Sequence, residues 1–462
     1  MTIWKNTIAP ALACAALLST SPAMAQAVTI QNGSKFIGTN GDPVDAHGAG
    51  IIKVGGYYYL MGENRTSDWK FKAVSMYRST DFKNWEYRND ILKSSSHSSL
   101  NGINIERPKV IYNAATNKYV MWAHKENGTN YDEARVVVAT SNTIDGNYTY
   151  VGDFRPLGHE SRDMTLFLDS DGLGYLISSA KVNADLNIYR LNFSFTNVDA
   201  LVKVIAGKHR EAPAVFKRNN VYFLITSGAT GWDPNQATYQ TASSMGGNWT
   251  NPTNFGDQRT YNSQSASVAT IQGSNGTSYL YMGDRWGPAT GQTPNDSTYV
   301  WLPLSFPSNT SVAMSGSSLV NINASAGTSS NVTSGYSRIR SNSSNLCVNV
   351  SNESRNYEAG VAQWTCGNGG NETFERRNLG NGYWQYVVQH SGLCLARSAN
   401  NDNVVQTTCG IGSRSEWSLS GSRIVNRASG RCLTVNGAST SNGASLITWN
   451  CDNSPQGQWT FL

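Results

Sequence analysis

Two recurrences predict an all-β protein, a five-bladed β-propeller followed by a β-trefoil. The first is a turn followed by a tyrosine-rich apolar run, returning about 45–60 residues apart along the front two thirds of the chain, a period that in an all-β context marks propeller blades. The second is a set of three cysteine-bearing units of about 40 residues in the last quarter, each too short to bury a face alone. Convincing helical periodicity is absent throughout.

Taken in order, the 462-residue chain opens with a secretory signal over residues 1–25: Lys5 carries the charge, Ile8 to Leu18 the apolar core, and Ala23-Met24-Ala25 the small-residue cleavage site before Gln26. The apolar run is shorter than the roughly 20 residues a membrane span needs. No later segment is longer, so the mature protein is expected to be soluble and secreted. Residues 26–320 carry the repeated strands, starting from Gly55-Gly56-Tyr57-Tyr58-Tyr59-Leu60-Met61, Lys118-Tyr119-Val120-Met121-Trp122-Ala123, Gly174-Tyr175-Leu176-Ile177-Ser178, Val221-Tyr222-Phe223-Leu224-Ile225-Thr226-Ser227 and Ser278-Tyr279-Leu280-Tyr281-Met282-Gly283. Five such strands predict five blades. A β-sandwich is the alternative, but one of nearly this length is large. Residues 321–335, rich in Asn, Ser, Thr and Gly, read as a flexible linker. Residues 336–462 hold the threefold repeat, opened by Leu346-Cys347-Val348, Leu393-Cys394-Leu395 and Arg431-Cys432-Leu433 and closed by Phe374, Trp417 and Trp459.

Composition narrows the function. A net charge of +5 over this length, with scattered lysines and arginines and no basic block interleaved with aromatics, argues against a nucleic-acid partner. The wealth of Asn, Ser, Thr, Tyr and Trp suits polyols, because rings stack on the apolar faces of sugars and amides bond their hydroxyls. Cys14 leaves with the signal, and six cysteines remain, Cys347, Cys366, Cys394, Cys409, Cys432 and Cys451. An even count in an exported chain implies disulfides. Without a Cys-x-x-Cys or a neighbouring His, metal binding is the weaker reading. No cofactor and no metal are expected.

The stretch His209-Arg210-Glu211-Ala212-Pro213 leads into the fourth strand. A lone carboxylate at a strand end among apolar residues is a candidate proton donor, because desolvation raises its pKa. The competing account is a surface glutamate in a turn. In a propeller, residues adjoining the inner strands converge on one axial face, so His47, Glu63, Glu106, His124, Glu126, Asp163, Glu211, Gln264, Asp284 and Arg285 form one candidate set. Several carboxylates on one face fit glycoside hydrolysis, which uses an acid and usually a base flanking the bond.

Ala46-His47-Gly48-Ala49-Gly50, Glu106-Arg107-Pro108-Lys109-Val110, Arg162-Asp163-Met164, Arg210-Glu211-Ala212-Pro213, Thr230-Gly231-Trp232, Gln264-Ser265, Gly283-Asp284-Arg285-Trp286 and Tyr299-Val300-Trp301-Leu302-Pro303-Leu304 together resemble glycoside hydrolase family 43, in its exo-β-1,3-galactanase subgroup, over residues 30 to 320. The resemblance implies a five-bladed propeller and an inverting mechanism. It places Glu211 as general acid, Asp163 as the aspartate that tunes and orients it, and Glu106 and Glu63 as carboxylates on the substrate. Tyr131, Thr230, Trp232, His47, Asp284 and Arg285 fall at the sugar site. Most of the wider family carries an aspartate base in the first blade. Asp45 and Asp42 lie near that place, and neither is assigned to it. In the subgroup a glutamine faces the attacking water, which corresponds to Gln264, expected across the pocket from Glu211. The implied substrate is a β-1,3-galactan backbone with side branches, as in arabinogalactan, cut from the non-reducing end.

The last quarter resembles ricin-type (family 13) carbohydrate-binding modules. That resemblance implies bridges within each unit, Cys347 with Cys366, Cys394 with Cys409 and Cys432 with Cys451, and sugar contacts at Asn349, Trp364 and Trp449. Thr407 stands where the middle unit would have its aromatic platform. The whole reads as a secreted, monomeric galactanase with a sugar-binding tail. Two alternatives remain: another exo-glycosidase of the same scaffold, such as an α-L-arabinofuranosidase or β-xylosidase, and a lectin whose propeller no longer catalyses.

Overall fold

The computed structural model describes residues 27–332 and 335–462, and the expected signal over residues 1–25 lies outside them. Five antiparallel four-stranded sheets follow one another along the chain, each joined in simple up-and-down order. Their first strands are His47–Val54, Asn104–Asn113, Met164–Leu168, Arg210–Arg218 and Gln264–Gly273. Each of these strands touches the next, and the fifth touches the first. The tyrosine-rich runs are the second strands: Tyr57–Arg65, Lys118–Glu126, Gly174–Ala180, Val221–Gly228 and Gly276–Arg285.

The near-continuous apolar character of those strands has a packing reason. Side chains alternate between the two faces of a strand, and here both faces are covered. In Lys118–Glu126, Met121 and Ala123 join the core shared with the first sheet, whereas Val120 and Trp122 join the core shared with the third. In Val221–Gly228, Tyr222 and Leu224 pack toward the third sheet, and Phe223 and Ile225 toward the fifth. Apolar layers therefore lie between neighbouring sheets and leave the ends of the first strands for polar residues.

The linker expected over residues 321–335 is corrected. Leu319–Asn323 pairs with Val28–Gln31 on one edge and with Thr328–Asn331 on the other, making a three-stranded sheet. Val320 and Ile322 are fully buried in the core of the first and fifth sheets. Burial of alternate residues wins over a composition that is otherwise linker-like.

The C-terminal repeats share one apolar core, in which Phe374, Trp417 and Trp459 occupy equivalent closing positions. Indole nitrogens tie two of them to backbone, Trp417 to Leu395 O and Trp459 to Leu433 O, both at 2.9 Å. The disulfides join Cys347 to Cys366, Cys394 to Cys409 and Cys432 to Cys451, within units as expected. This trefoil sits directly on the five-sheet region. Gln31 donates to Gln385, Tyr357 N to Thr290 O, and Ser34 forms a bridge with Cys409.

Candidate active site

Four of the five first strands open with the same irregularity. Register slips between His47 and Gly50, Glu106 and Lys109, Glu211 and Ala214, and Ser265 and Ser267. In three of them the residue after the polar one is left-handed: Gly48 (φ 59°), Arg107 (φ 52°) and Ala212 (φ 51°). A bulge of this kind bends the strand and re-aims one side chain, here that of Glu106 or Glu211. Gly48 is confined to glycine for a second reason, since a Cβ there would lie 2.6 Å from a Glu63 carboxylate oxygen.

The re-aimed side chains line a cavity of about 270 Å³. On its wall are Glu63, Arg65, Glu106, Arg107, Tyr131, Arg162, Asp163, Asn183, Glu211, Trp232, Gln264 and Trp286. Glu211 is held at both oxygens, by Gln264 Nε2 at 2.9 Å and Asn183 Nδ2 at 3.0 Å. Asp163 pairs with Arg107 Nε at 2.8 Å and accepts the Ala212 amide at 3.1 Å, so it is bonded to the backbone next to Glu211. Glu106 accepts from Arg65 at 2.8 Å and from the Tyr131 hydroxyl at 2.7 Å. Arg65 also pairs with Glu63.

Burial, reinforced by the Asp163 charge, pushes the Glu211 carboxyl up to about 8, against the pull of Arg107 and the Gln264 amide. Glu106 goes the other way. Burial opposes its ionisation, yet the His124 hydrogen bond and the Arg65 charge hold it well below the usual carboxylate range. Burial likewise opposes protonation of His124, but donating to the Glu106 and Glu126 carboxylates raises it to about 9. The environments push Glu211 and Glu106 apart, one carboxylic acid and one carboxylate, which is the arrangement acid catalysis near neutrality requires. Glu106, His124 and Asp163 bring possible ligand atoms within 4.8 Å of one another.

Of the residues expected at the site, Glu211, Gln264, Asp163, Glu106, Glu63, Tyr131 and Trp232 all line the cavity. Four do not. His47 and Asp284 lie beneath it, bonded to each other at 2.9 Å, with Asp284 also accepting the Gly48 amide and His47 stacked on Tyr299. They brace the first bulge. Thr230 turns outward and bonds the Asp233 carbonyl and Asn235, shaping the loop that presents Trp232. Arg285 points to the trefoil, donating to Gly392 O at 3.0 Å.

Gln264 is beside Glu211, not across from it. Its oxygen accepts from Trp286 Nε1 at 2.8 Å and from Arg107. Both groups can only donate, which fixes the amide nitrogen toward Glu211. Neither Asp42 nor Asp45 lines the cavity; Asp42 is exposed and bonds Asn40. The contributions of Arg65, Arg162, Asn183 and Trp286 were not read from sequence. Asn183 comes from a turn with no motif, the left-handed run Lys181-Val182-Asn183.

In the trefoil, Trp364 and Trp449 are 49% and 51% exposed, each opposite the first cysteine of its unit, and Thr407 at the equivalent place is buried. Asn349 accepts from Asn371 at 3.1 Å.

Residues 43–286 match the family described as Glycosyl hydrolases family 43, and residues 335–459 the Ricin-type beta-trefoil lectin domain. No curated protein matches the chain. Among solved structures, an exo-β-1,3-galactanase from Clostridium thermocellum is 39% identical, with a TM-score of 0.66, over 94% of this chain and 99% of its own. An exo-β-1,3-galactanase from Phanerochaete chrysosporium, a glutamate-to-glutamine variant with β-1,3-galactotriose, is 30% identical, with a TM-score of 0.68, over 91% and 98%. A family 43 β-1,3-galactosidase with galactodeoxynojirimycin is 33% identical, with a TM-score of 0.59, over 63% and 99%. The match over more than half its length, on a cavity built around a raised glutamic acid, makes this chain a glycoside hydrolase of family 43 that carries a ricin-type trefoil lectin domain.

Proposed function

We propose that the protein is a secreted, monomeric exo-β-1,3-galactanase, that its five sheets are the blades of a propeller, and that it works with inversion. The substrate reading is supported by the exo-β-1,3-galactanases among its structural neighbours. The observation that carries the chemistry is Glu211, a buried acid pushed up to about 8 in a sugar-sized cavity. Glu211 gives its proton to the glycosidic oxygen as the bond from that oxygen to the anomeric carbon breaks. Asp163 orients it through the Ala212 amide and holds its charge state. Glu106, Glu63 and Tyr131 meet sugar hydroxyls, and Trp232 and Trp286, 5.2 Å apart edge to face, supply an aromatic wall. Water attacks from the opposite side. The oxocarbenium-like centre is electrophilic enough that an oriented water loses its proton to solvent as the new carbon–oxygen bond forms, and Glu211 regains its own from solvent. Gln264 belongs to this machinery as a donor to Glu211, since its oxygen is already committed to Arg107 and Trp286.

Secretion is supported by the N-terminal signal pattern and the three disulfides, and among the described residues no helix is long and apolar enough to cross a membrane. The test is product analysis on de-branched β-1,3-galactan beside arabinan and xylan. Galactose released with inverted anomeric configuration from galactan alone is the expected result. Arabinose or xylose as the main product overturns the substrate, and no product from any of the three overturns the enzyme reading in favour of a lectin.

A further inference from the structure

We infer that the trefoil is a positioning element for the active site, acting through a left-handed turn that it clamps one residue short of Ser263-Gln264. The inference rests on the reading of Glu211 as the acid. Thr260, Tyr261 and Asn262 have φ values of 51°, 55° and 57°. Three consecutive non-glycine residues in this region, one of them β-branched, form a strained segment that persists only where its surroundings over-determine it.

The catalytic region supplies part of that restraint. Thr260 Oγ1 bonds the Asn235 carbonyl and the Ala237 amide, Asp257 accepts the Tyr261 amide, and Arg259 donates to Asn262 Oδ1 at 3.0 Å. The trefoil supplies the rest. Asn262 Nδ2 donates to the His390 carbonyl at 3.1 Å, and Arg355 donates to Asn262 Oδ1 at 2.9 Å and to the same His390 carbonyl. Arg285 spans the joint, donating to Asn262 O, Tyr261 O and Gly392 O. Both ends of the Asn262 carboxamide and both carbonyls of the turn's second half are thus held by the trefoil or by the arginine that bonds it.

Two residues beyond Asn262, Gln264 donates to Glu211 and thereby favours its ionised form. Loosening the turn lets that amide drift. Two consequences follow: the acid is less well placed, and its pKa rises. Arg355 is accordingly a positioning residue in one domain for the chemistry of the other, a role separate from sugar binding at Trp364 or Trp449.

The test compares the full-length protein with Arg355→Met, Arg355→Lys and Asn262→Gly on soluble β-1,3-galactobiose. Asn262→Gly removes the two side-chain contacts to the trefoil while relieving the left-handed strain, so it folds even if Arg355→Met does not. The expected result for Asn262→Gly and Arg355→Met is a kcat loss on the order of tenfold or more, as small misplacements remote from the chemistry produce, with KM little changed and the alkaline limb of the rate profile shifted above its wild-type position. Arg355→Lys, which keeps a donor but not the fork, recovers part of the loss. Carboxyl-carbon NMR of Glu211 reads the same shift with no substrate present. An inactive wild type on galactobiose overturns the substrate reading and leaves the NMR comparison to decide the joint. Unchanged kcat and unchanged Glu211 titration in both Asn262→Gly and Arg355→Met overturn the inference.

Discussion

Gln264 donates its amide nitrogen to Glu211 Oε1 at 2.9 Å, so the neutral amide and the acid are direct neighbours in the free protein. With Asn183 on the other oxygen, the Glu211 carboxyl is gripped at both ends. Glu211→Gln keeps the shape and loses the transferable proton. Turnover on galactan should fall by about 10²–10⁴-fold, the usual worth of acid catalysis, while oligosaccharide binding measured by calorimetry stays close to wild type. A variant that kept a tenth of wild-type turnover would remove Glu211 from the acid role.

The pH profile follows from the same carboxyl. An acid must be protonated to act, and Glu211 is pushed up to about 8 by burial first and by Asp163 second. Activity should therefore persist through neutral pH and decline as pH rises through about 8. Asp163→Asn removes the second of those causes and frees Arg107 to favour the carboxylate. The alkaline limb should move to lower pH, read from kcat/KM across a buffer series. A limb that stayed put would separate Asp163 from the tuning of Glu211.

His124 predicts a pH-dependent stability. Its Nε2 meets Glu126 at 2.8 Å and its Nδ1 faces Glu106 at 3.3 Å, and together these raise it to about 9 despite burial. A group whose folded pKa is raised contributes fully below its unfolded pKa and loses that contribution as pH rises through the folded value. The melting temperature should decline between about pH 6.5, the ordinary histidine value, and about 9, and His124→Gln should lack that component. Removing the cation leaves the buried Glu126 with only the Glu133 and Ala134 amides as partners, so the variant should also melt at lower temperature below about pH 6.5. Calorimetric melts at stepped pH check both statements.

How much of this was legible depended on which face a residue occupies. The five tyrosine-rich strands stood out because both of their faces are buried, so hydrophobicity runs on without polar gaps, as in Tyr222 to Ile225. Asp284 and Arg285 illustrate the limit. They are adjacent in one strand and were expected at one site, yet alternation sends Asp284 inward to His47 and Arg285 outward to Gly392. The linker reading failed for a related reason, since Asn and Ser at every other position masked the buried Ile322, Ala324 and Ala326. Asn183 reaches Glu211 from an irregular turn, and nothing in its local sequence marks it.

In the trefoil, the half-exposed indoles of Trp364 and Trp449 occupy one repeat position, and the buried Thr407 occupies it in the middle unit. Stacking needs an open ring face, so binding should reside in the first and third units. Trp364→Ala and Trp449→Ala should each weaken retention on insoluble galactan, and the double variant should lose most of it. Thr407→Ala should not change retention. Pull-down on the polymer decides, and retention that survived the double variant would move sugar binding elsewhere.

The last prediction separates two roles for Gln264. If it served as a base, a carboxylate in its place would work at least as well and leave the acid undisturbed. Its surroundings argue otherwise, because the oxygen that a base would use already accepts from Arg107 and Trp286, and it is the nitrogen that reaches Glu211 and Ser227. Gln264→Glu keeps the Arg107 and Trp286 bonds but sets a second carboxyl against Glu211. Two carboxyls in contact cannot both ionise easily, so they titrate as a pair with one value pushed up. The alkaline limb should therefore rise well above its wild-type position. Gln264→Ala should raise the limb less, because it removes one stabilising hydrogen bond without adding a charge, and it should lower kcat by about 10²-fold through misplacement of the acid. Rate profiles of both variants against wild type provide the measurement. A Gln264→Glu enzyme with wild-type turnover and an unshifted limb would assign Gln264 to the water instead of to Glu211.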